Sequence, residues 1–129
     1  MNLELVSIEK IKNYLVIKYS GITGIGSLGN NDIDFILKSS RENLIEQKNI
    51  QGIIFDFSKM RYEFCNRFSK IFNSNEYKPN KKIYIRIIPN ENDYENWNSL
   101  IEKCTSYQNH IFIQVDKLQA IKSINKEMN

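Results

Sequence analysis

The chain is poor in the side chains that carry most enzymatic and metal chemistry. It holds one His, His110, and two Cys, Cys65 and Cys104, in 129 residues. That inventory leaves almost nothing for a zinc site. Proline and glycine are scarce, at two and five residues, and Asn, Ile and Lys take their place in every segment. A bias so uniform reflects AT-rich coding and is silent on function. The chain also lacks a dominant charge. Its 18 basic and 15 acidic side chains are interspersed and leave +3, which gives no strong field for nucleic acid or an anionic membrane. No apolar run approaches the roughly 20 residues that span a bilayer. Ile53-Ile54-Phe55 stops at Asp56, and Ile83 to Ile88 is interrupted by Arg86. Met1-Asn2-Leu3-Glu4 has neither the basic nor the apolar region of a signal peptide. The expectation is a cytoplasmic protein with reduced thiols.

What is present is an ordinary globular composition, 41% hydrophobic and 12% aromatic. The length suits one domain over residues 1–129. Such a domain buries about two-thirds of its unfolded surface and needs no staple. Residues 3–9 and 13–20 read as strands, the second with strict alternation from Tyr14 to Ser20, and Lys10-Ile11-Lys12 as the turn between them. A glycine-bearing loop follows from Gly21 to Asn31. Ile33, Ile36, Leu37 and Leu44, with Ser40 at the small place, share a helical face over about 32–48, capped by Asn31 or Asp32. Gly52 to Phe57 is the nearly continuous apolar run of a central strand. Phe64, Phe68, Ile71 and Phe72 mark a second helix, and Ile83 to Ile88 a further strand closed by Pro89. Asn92 and Glu95 form a capping-box pattern before a third helix whose stripe is Tyr94, Trp97, Ile101 and Cys104. Ile111 to Val115 is the last strand. Asp116 and Gln119 repeat the capping pattern before a helix marked by Leu118, Ile121 and Ile124. The order, β-β-α-β-α-β-α-β-α, predicts an α/β fold. A mixed sheet of about five strands is flanked by about four α-helices.

This order resembles the STAS domain, the fold of sulphate transporters and anti-sigma-factor antagonists. Gly52-Ile53-Ile54-Phe55-Asp56-Phe57-Ser58-Lys59-Met60 is similar to that family's strand ending in Asp. Lys81-Lys82-Ile83-Tyr84-Ile85 is similar to its next strand, and Ile111-Phe112-Ile113 with Leu118-Gln119-Ala120-Ile121 to its last strand and helix. The resemblance spans nearly the whole chain and implies a regulatory module acting through protein contact. Regulatory members carry a phosphorylated Ser at the start of the helix after the buried strand, where its charge switches partner binding. Here that place falls near Phe64-Cys65-Asn66-Arg67, which has no Ser or Thr; the nearest is Ser69, one turn later. The scaffold is therefore expected without the phosphoswitch, as in stand-alone bacterial members of uncertain role.

Two segments are candidate sites. Gly24-Ile25-Gly26-Ser27-Leu28-Gly29 spells the glycine spacing of a dinucleotide loop, between a strand and a helix. However, Asp56 lies 27 positions past Gly29, where about 20 is expected. The chain also lacks the length for two mononucleotide-binding halves. The simpler reading is a flexible loop. Gly24, Gly26, Gly29 and Asn30 are the residues that would hold an anion at the helix N-terminus if it binds one. The second segment comprises Arg61, Tyr62, Glu63, Cys65, Asn66 and Arg67. It opens the helix that the resembled family uses for partner contacts, and Arg and Tyr are types enriched at interface hot spots. Cys65 as a nucleophile would need a base, and His110 is the one imidazole available. A structural thiol is the simpler reading. Glu91, Asp93 and Glu95 suit a helix N-terminus better than a cation site. Lys78, Lys81 and Lys82 suit a solvated loop better than a nucleic-acid site.

The expectation is a non-enzymatic protein with no cofactor and no metal. It works through a protein partner, with neither nucleic acid nor membrane, and an N-terminal edge strand could pair two copies. One alternative is an immunity protein that binds and neutralises a bacterial toxin. Another is a small-ligand or nucleotide-binding domain using the 21–31 loop.

Overall fold

In the computed structural model, residues 3–63, 65–78, 80–104 and 112–129 are described. Four strands form one sheet in the order β1-β2-β3-β4. They are β1 (Leu3–Ile11), β2 (Tyr14–Ile22), β3 (Gly52–Arg61) and β4 (Tyr84–Pro89). The β1–β2 pair is antiparallel and the other two pairs are parallel. Three α-helices accompany them among the described residues: α1 (Asn30–Glu46), α2 (Tyr94–Cys104) and α3 (Lys117–Met128). The fold is α/β with a mixed sheet, as the alternating pattern predicts.

Period 2 decides which face each side chain takes. Leu15, Ile17 and Tyr19 on β2, Ile53, Phe55 and Phe57 on β3, and Ile85 and Ile87 on β4 belong to the main core. They share it with Ile33, Ile36, Leu37 and Leu44 of α1 and Trp97, Leu100 and Ile101 of α2. Ser40 takes the small place on α1 fully buried and returns its hydroxyl to the Ile36 carbonyl at 2.6 Å. Tyr14, Val16, Ile54 and Ile88 point the other way and pack on Ala120 and Ile124 of α3. The run Ile53-Ile54-Phe55 is thus apolar throughout because β3 is covered on both sides.

Arg86 interrupts an apolar strand yet is 1% exposed. It lies between Tyr84 and Ile88 on the α3 side. Its guanidinium donates to the Ser123 hydroxyl at 2.9 Å, the Ile85 carbonyl at 2.9 Å and the Glu127 carboxylate at 2.6 Å. The Tyr14 hydroxyl donates to the Asn125 side chain. Polar anchors and a small apolar seam together hold α3 down, and Asp116 caps it by accepting from the Gln119 N–H at 2.8 Å.

The outermost strand, β1, contains an irregularity. Its register with β2 shifts between Leu5 and Ser7, so Val6 is an extra residue. Leu5 stands opposite Tyr19 and Ile8 opposite Ile17, both main-core residues. The spacing Leu3, Leu5, Ile8 keeps to one face only because Val6 takes up the odd step.

Several elements differ from the sequence expectation. Residues Asn66–Phe72 form a 3₁₀ helix and not an α-helix. The segment starts from an extended Cys65 and is stopped by an extended Asn73, which leaves seven residues. A stretch that short gains little from α-helical cooperativity, and as a 3₁₀ helix it still buries Phe68 and Ile71. Phe64 lies outside the described residues. The expected fifth strand over 111–115 falls partly outside them too. What is described is a parallel bridge from Ile87 to Ile113 and a bond from the Gln114 N–H to the Ile87 carbonyl. Val115 then turns out to solvent, 81% exposed, and Asp116 starts the cap of α3. β3 runs past Phe57 to Arg61 because a shift between Lys18 and Ser20 on β2 absorbs a residue and keeps Met60 inside. α2 opens from a 3₁₀ turn over Glu91–Asp93, capped by the Asn90 side chain on the Asn92 N–H, and not from an Asn92–Glu95 box. In its expected stripe Trp97 and Ile101 are fully buried but Tyr94 is 47% exposed; the Cys104 side chain is outside the described residues. On α3, Ile124 is buried with Ala120, while Leu118 is 57% exposed.

Candidate functional site

Both candidate segments leave the sheet at the same end, at the C-terminal ends of β2 and β3, and they are stitched together there. Ile22 and Arg61 are paired in the ladder. The Thr23 N–H donates to the Arg61 carbonyl at 3.0 Å, and the Glu63 N–H donates to the Thr23 hydroxyl at 2.8 Å. One turn on, Gly29 lies flat against Cys65. A Cβ at Gly29 would stand 2.8 Å from the Cys65 Cβ and 2.9 Å from its Sγ. Arg67 reaches back to Asp34 on α1 at 3.6 Å.

Regular elements take up most of the glycine-bearing loop. β2 continues to Ile22, a 3₁₀ turn covers Gly26–Gly29, and α1 begins at Asn30 with Gly29 as its N-cap. Asp32 is therefore not a cap. Its carboxylate, in a residue 4% exposed, accepts from the Gly24 N–H at 2.8 Å. A negative charge of the protein's own thus stands in the first turn of α1, where an anion would be favoured. The space at two of the three motif glycines is also taken. A Cβ at Gly24 would meet the Leu28 carbonyl at 2.5 Å, and one at Gly29 would meet Cys65. Gly26 is open and has φ +56, the one motif position where the backbone itself asks for glycine.

The second segment alternates between surface and interior. Arg61, Glu63, Asn66 and Arg67 are exposed, whereas Tyr62 and Cys65 are 1% and 2% exposed. Those two side chains form the bed of the segment and not its outer surface. Tyr62 stacks on Trp97 at 4.2 Å between ring centroids and donates its hydroxyl to the Cys65 carbonyl at 3.2 Å. Trp97 is itself stacked on Phe57 at 5.3 Å. His110, the one base available to Cys65, lies outside the described residues.

Asp93 holds this segment in place. Its carboxylate, in a residue 1% exposed, accepts from the Arg61 guanidinium at 3.1–3.2 Å and from the Tyr62 N–H at 2.7 Å. The hydrogen bonds and charge of Asp93 hold Arg61 more firmly in its cationic form. In sequence, Asp93 is one of three acids before a helix, and nothing there singles it out from Glu91 and Glu95. Thr23 carries no stronger signal.

Large apolar side chains are also exposed at this end of the sheet. Ile22, Ile25 and Leu28 are 52%, 61% and 76% exposed. They stand on the segment that is bonded to 61–63 and packed against Cys65. This end of the sheet therefore carries a ridge of exposed apolar and polar side chains, Arg61, Glu63, Asn66 and Arg67 among them. Among the described residues no group of three His, Cys, Asp or Glu side chains is placed to hold a metal ion. No helix there is long and apolar enough to cross a membrane. No protein-family model and no curated protein matches the chain.

Proposed function

We propose that the protein is a STAS-like interaction or regulatory module without the usual phosphoacceptor Ser, and that it acts through protein contact at this ridge. One observation carries the reading: three large aliphatic side chains are held in solvent by a bed that is itself fully bonded. A single exposed Leu needs no explanation, but three large aliphatic side chains exposed within seven positions, on a segment bonded next to an exposed Arg, fit a partner surface. The bed supports the same reading, since Asp93, Thr23 and the Gly29–Cys65 contact fix the ridge before any partner arrives. A surface already ordered loses less entropy on binding. The antiparallel hairpin followed by parallel strands and helices supports the family likeness. Asp32 in the first turn of α1 weighs against an anionic ligand in the glycine loop.

The test is affinity enrichment from the native host, comparing wild type with Leu28→Asp and Arg61→Glu. A partner retained by the wild type and lost from both variants is the expected result. Recovery of no partner, or of partners indifferent to both substitutions, would overturn the reading.

A further inference from the structure

The opposite end of the sheet has a different character. There the β1–β2 turn, the connection from α1 to β3 and the connection into β4 are bonded in a row. The Gln51 N–H donates to the Asn13 carbonyl at 2.7 Å, and the Tyr84 N–H donates to the Gln51 carbonyl at 2.9 Å. The Lys10 ammonium donates to the Lys48 carbonyl at 3.3 Å, which ties the first two loops again. The last turn of α3 joins them through Lys82 and Glu127, 3.6 Å apart. Exposed lysines crowd these loops: Lys12, Lys48, Lys78, Lys81 and Lys126. None of the five makes an ion pair among the described residues. The nearby acids are largely engaged. Glu9 pairs with Lys117, Glu76 with Arg41, and Glu127 with Arg86 and Lys82; Glu42 and Glu46, on the last turns of α1, make no ion pair among the described residues, against five lysines that make none. The chain's net charge of only +3 therefore conceals a local cationic pole.

An apolar side chain stands beside it. Ile45 is 83% exposed, three positions before Lys48. It is one helical turn after Arg41, whose guanidinium reaches Glu76, two positions before Lys78. Lysine and apolar groups together suit an acidic polypeptide better than a nucleic acid. Stacking of bases needs exposed rings. At this pole Tyr14 and Tyr77 are 3% and 6% exposed, and Tyr84 is half-buried with the Lys82 ammonium 5.0 Å above its ring. The bidentate phosphate reader, Arg, is absent from the unpaired set, since Arg41 is occupied.

We infer that this pole is a second interaction surface, and that it takes an acidic protein segment with an apolar side chain for Ile45. It is separate from the ridge at the other end of the strands, and its test separates the two. Fluorescence anisotropy would follow a labelled Glu/Leu peptide on the full chain. Its competitors would be a Lys/Leu peptide, a single-stranded DNA oligonucleotide and phosphatidylserine vesicles. The Glu/Leu peptide is expected to bind and to weaken as salt rises. Reversal of three exposed lysines, Lys48→Glu with Lys78→Glu and Lys81→Glu, is expected to weaken it about tenfold or more. Ile45→Ser is expected to weaken it as well, while Leu28→Asp leaves it unchanged. The buried Trp97 reports through its emission that each variant is folded; if the triple variant is not, the Lys78→Glu and Lys81→Glu pair replaces it. No binding at low salt, equal binding by the reversed variant, or tighter binding of the oligonucleotide or the vesicles would overturn the inference.

Discussion

The contact between Arg86 and Glu127 predicts an asymmetry that mutation can expose. The two partners do not sit in equal environments. The Arg86 side chain is 2% exposed and that of Glu127 is 32% exposed. Removing the carboxylate by Glu127→Ala strands a cation under α3, with the Ser123 hydroxyl and the Ile85 carbonyl as its main remaining acceptors. A fully buried pair broken in this way costs about 3–5 kcal/mol. Solvent reaches Glu127 and neutral acceptors stay, so the expected loss is about 2 kcal/mol. Removing the cation by Arg86→Met is a different event. Methionine fills the same channel, and Glu127 rotates into water, so the expected loss is within about 1 kcal/mol. The doubly substituted chain should then match Arg86→Met alone. Urea unfolding followed by Trp97 fluorescence would measure all three, with about 4 °C of Tm per kcal/mol as an independent scale. If Arg86→Met costs more than Glu127→Ala, the arginine is worth more as an attractive anchor than as a charge in need of a partner, and the reasoning fails.

Other consequences are as direct. Gly29→Ala forces a Cβ against Cys65 and the Gly24 carbonyl at 2.8–2.9 Å, with an expected loss of about 1–3 kcal/mol readable by thermal unfolding. Asp93→Ala leaves the buried Tyr62 N–H without its acceptor, at a cost of about 1–3 kcal/mol, and should shift Trp97 emission because Tyr62 stacks on that ring. Burial raises Tyr77 well above its ordinary pKa of 10.0 and raises Tyr19 as well. A raised folded pKa means that the folded state holds the proton longer than the unfolded state. The stability this represents is therefore complete below pH 10 and declines as pH rises through the folded values. Tyr77→Phe loses the bond to the Ile71 carbonyl at 2.5 Å, about 1 kcal/mol at neutral pH, yet should flatten the alkaline decline in denaturant titrations.

Periodicity made the sheet legible. Alternation in Tyr14 to Ser20 and in Ile83 to Ile88 placed whole strands, and the doubly apolar run at Ile53 placed the centre. Spacing could not reveal where local geometry departs from the period. The stripe Phe64, Phe68, Ile71, Phe72 has α-helical spacing, but the chain closes it as a 3₁₀ helix between two extended residues. The candidate segments were visible as separate stretches, 24–30 and 61–67. Their union was not, because it depends on the ladder pairing Ile22 with Arg61 and on the missing side chain of Gly29. Nor could spacing show which members of 61–67 face out. That is decided by Trp97, which draws Tyr62 inward from another element. Arg86 reads in sequence as a break in an apolar run, and its burial rests on Ser123 and Glu127, 37 and 41 positions away.

The extra residue in β1 has a consequence for how faithfully the chain pairs with itself. A flat edge strand can slide along its neighbour in steps, and each single step exchanges inside for outside. Here Leu3 and Leu5 keep one beat and Ile8 the other, so just one alignment against Tyr19 and Ile17 puts all three on the core face, with Leu3 buried and Ile8 packed against the core. A slipped hairpin loses part of that set at once, and the error is self-correcting. The same offset makes the exposed side of β1 a poor ruler for stray extended chains, which would have to carry a matching hiccup to lie along it. Val6, 52% exposed, thereby marks the register of the hairpin that opens the fold.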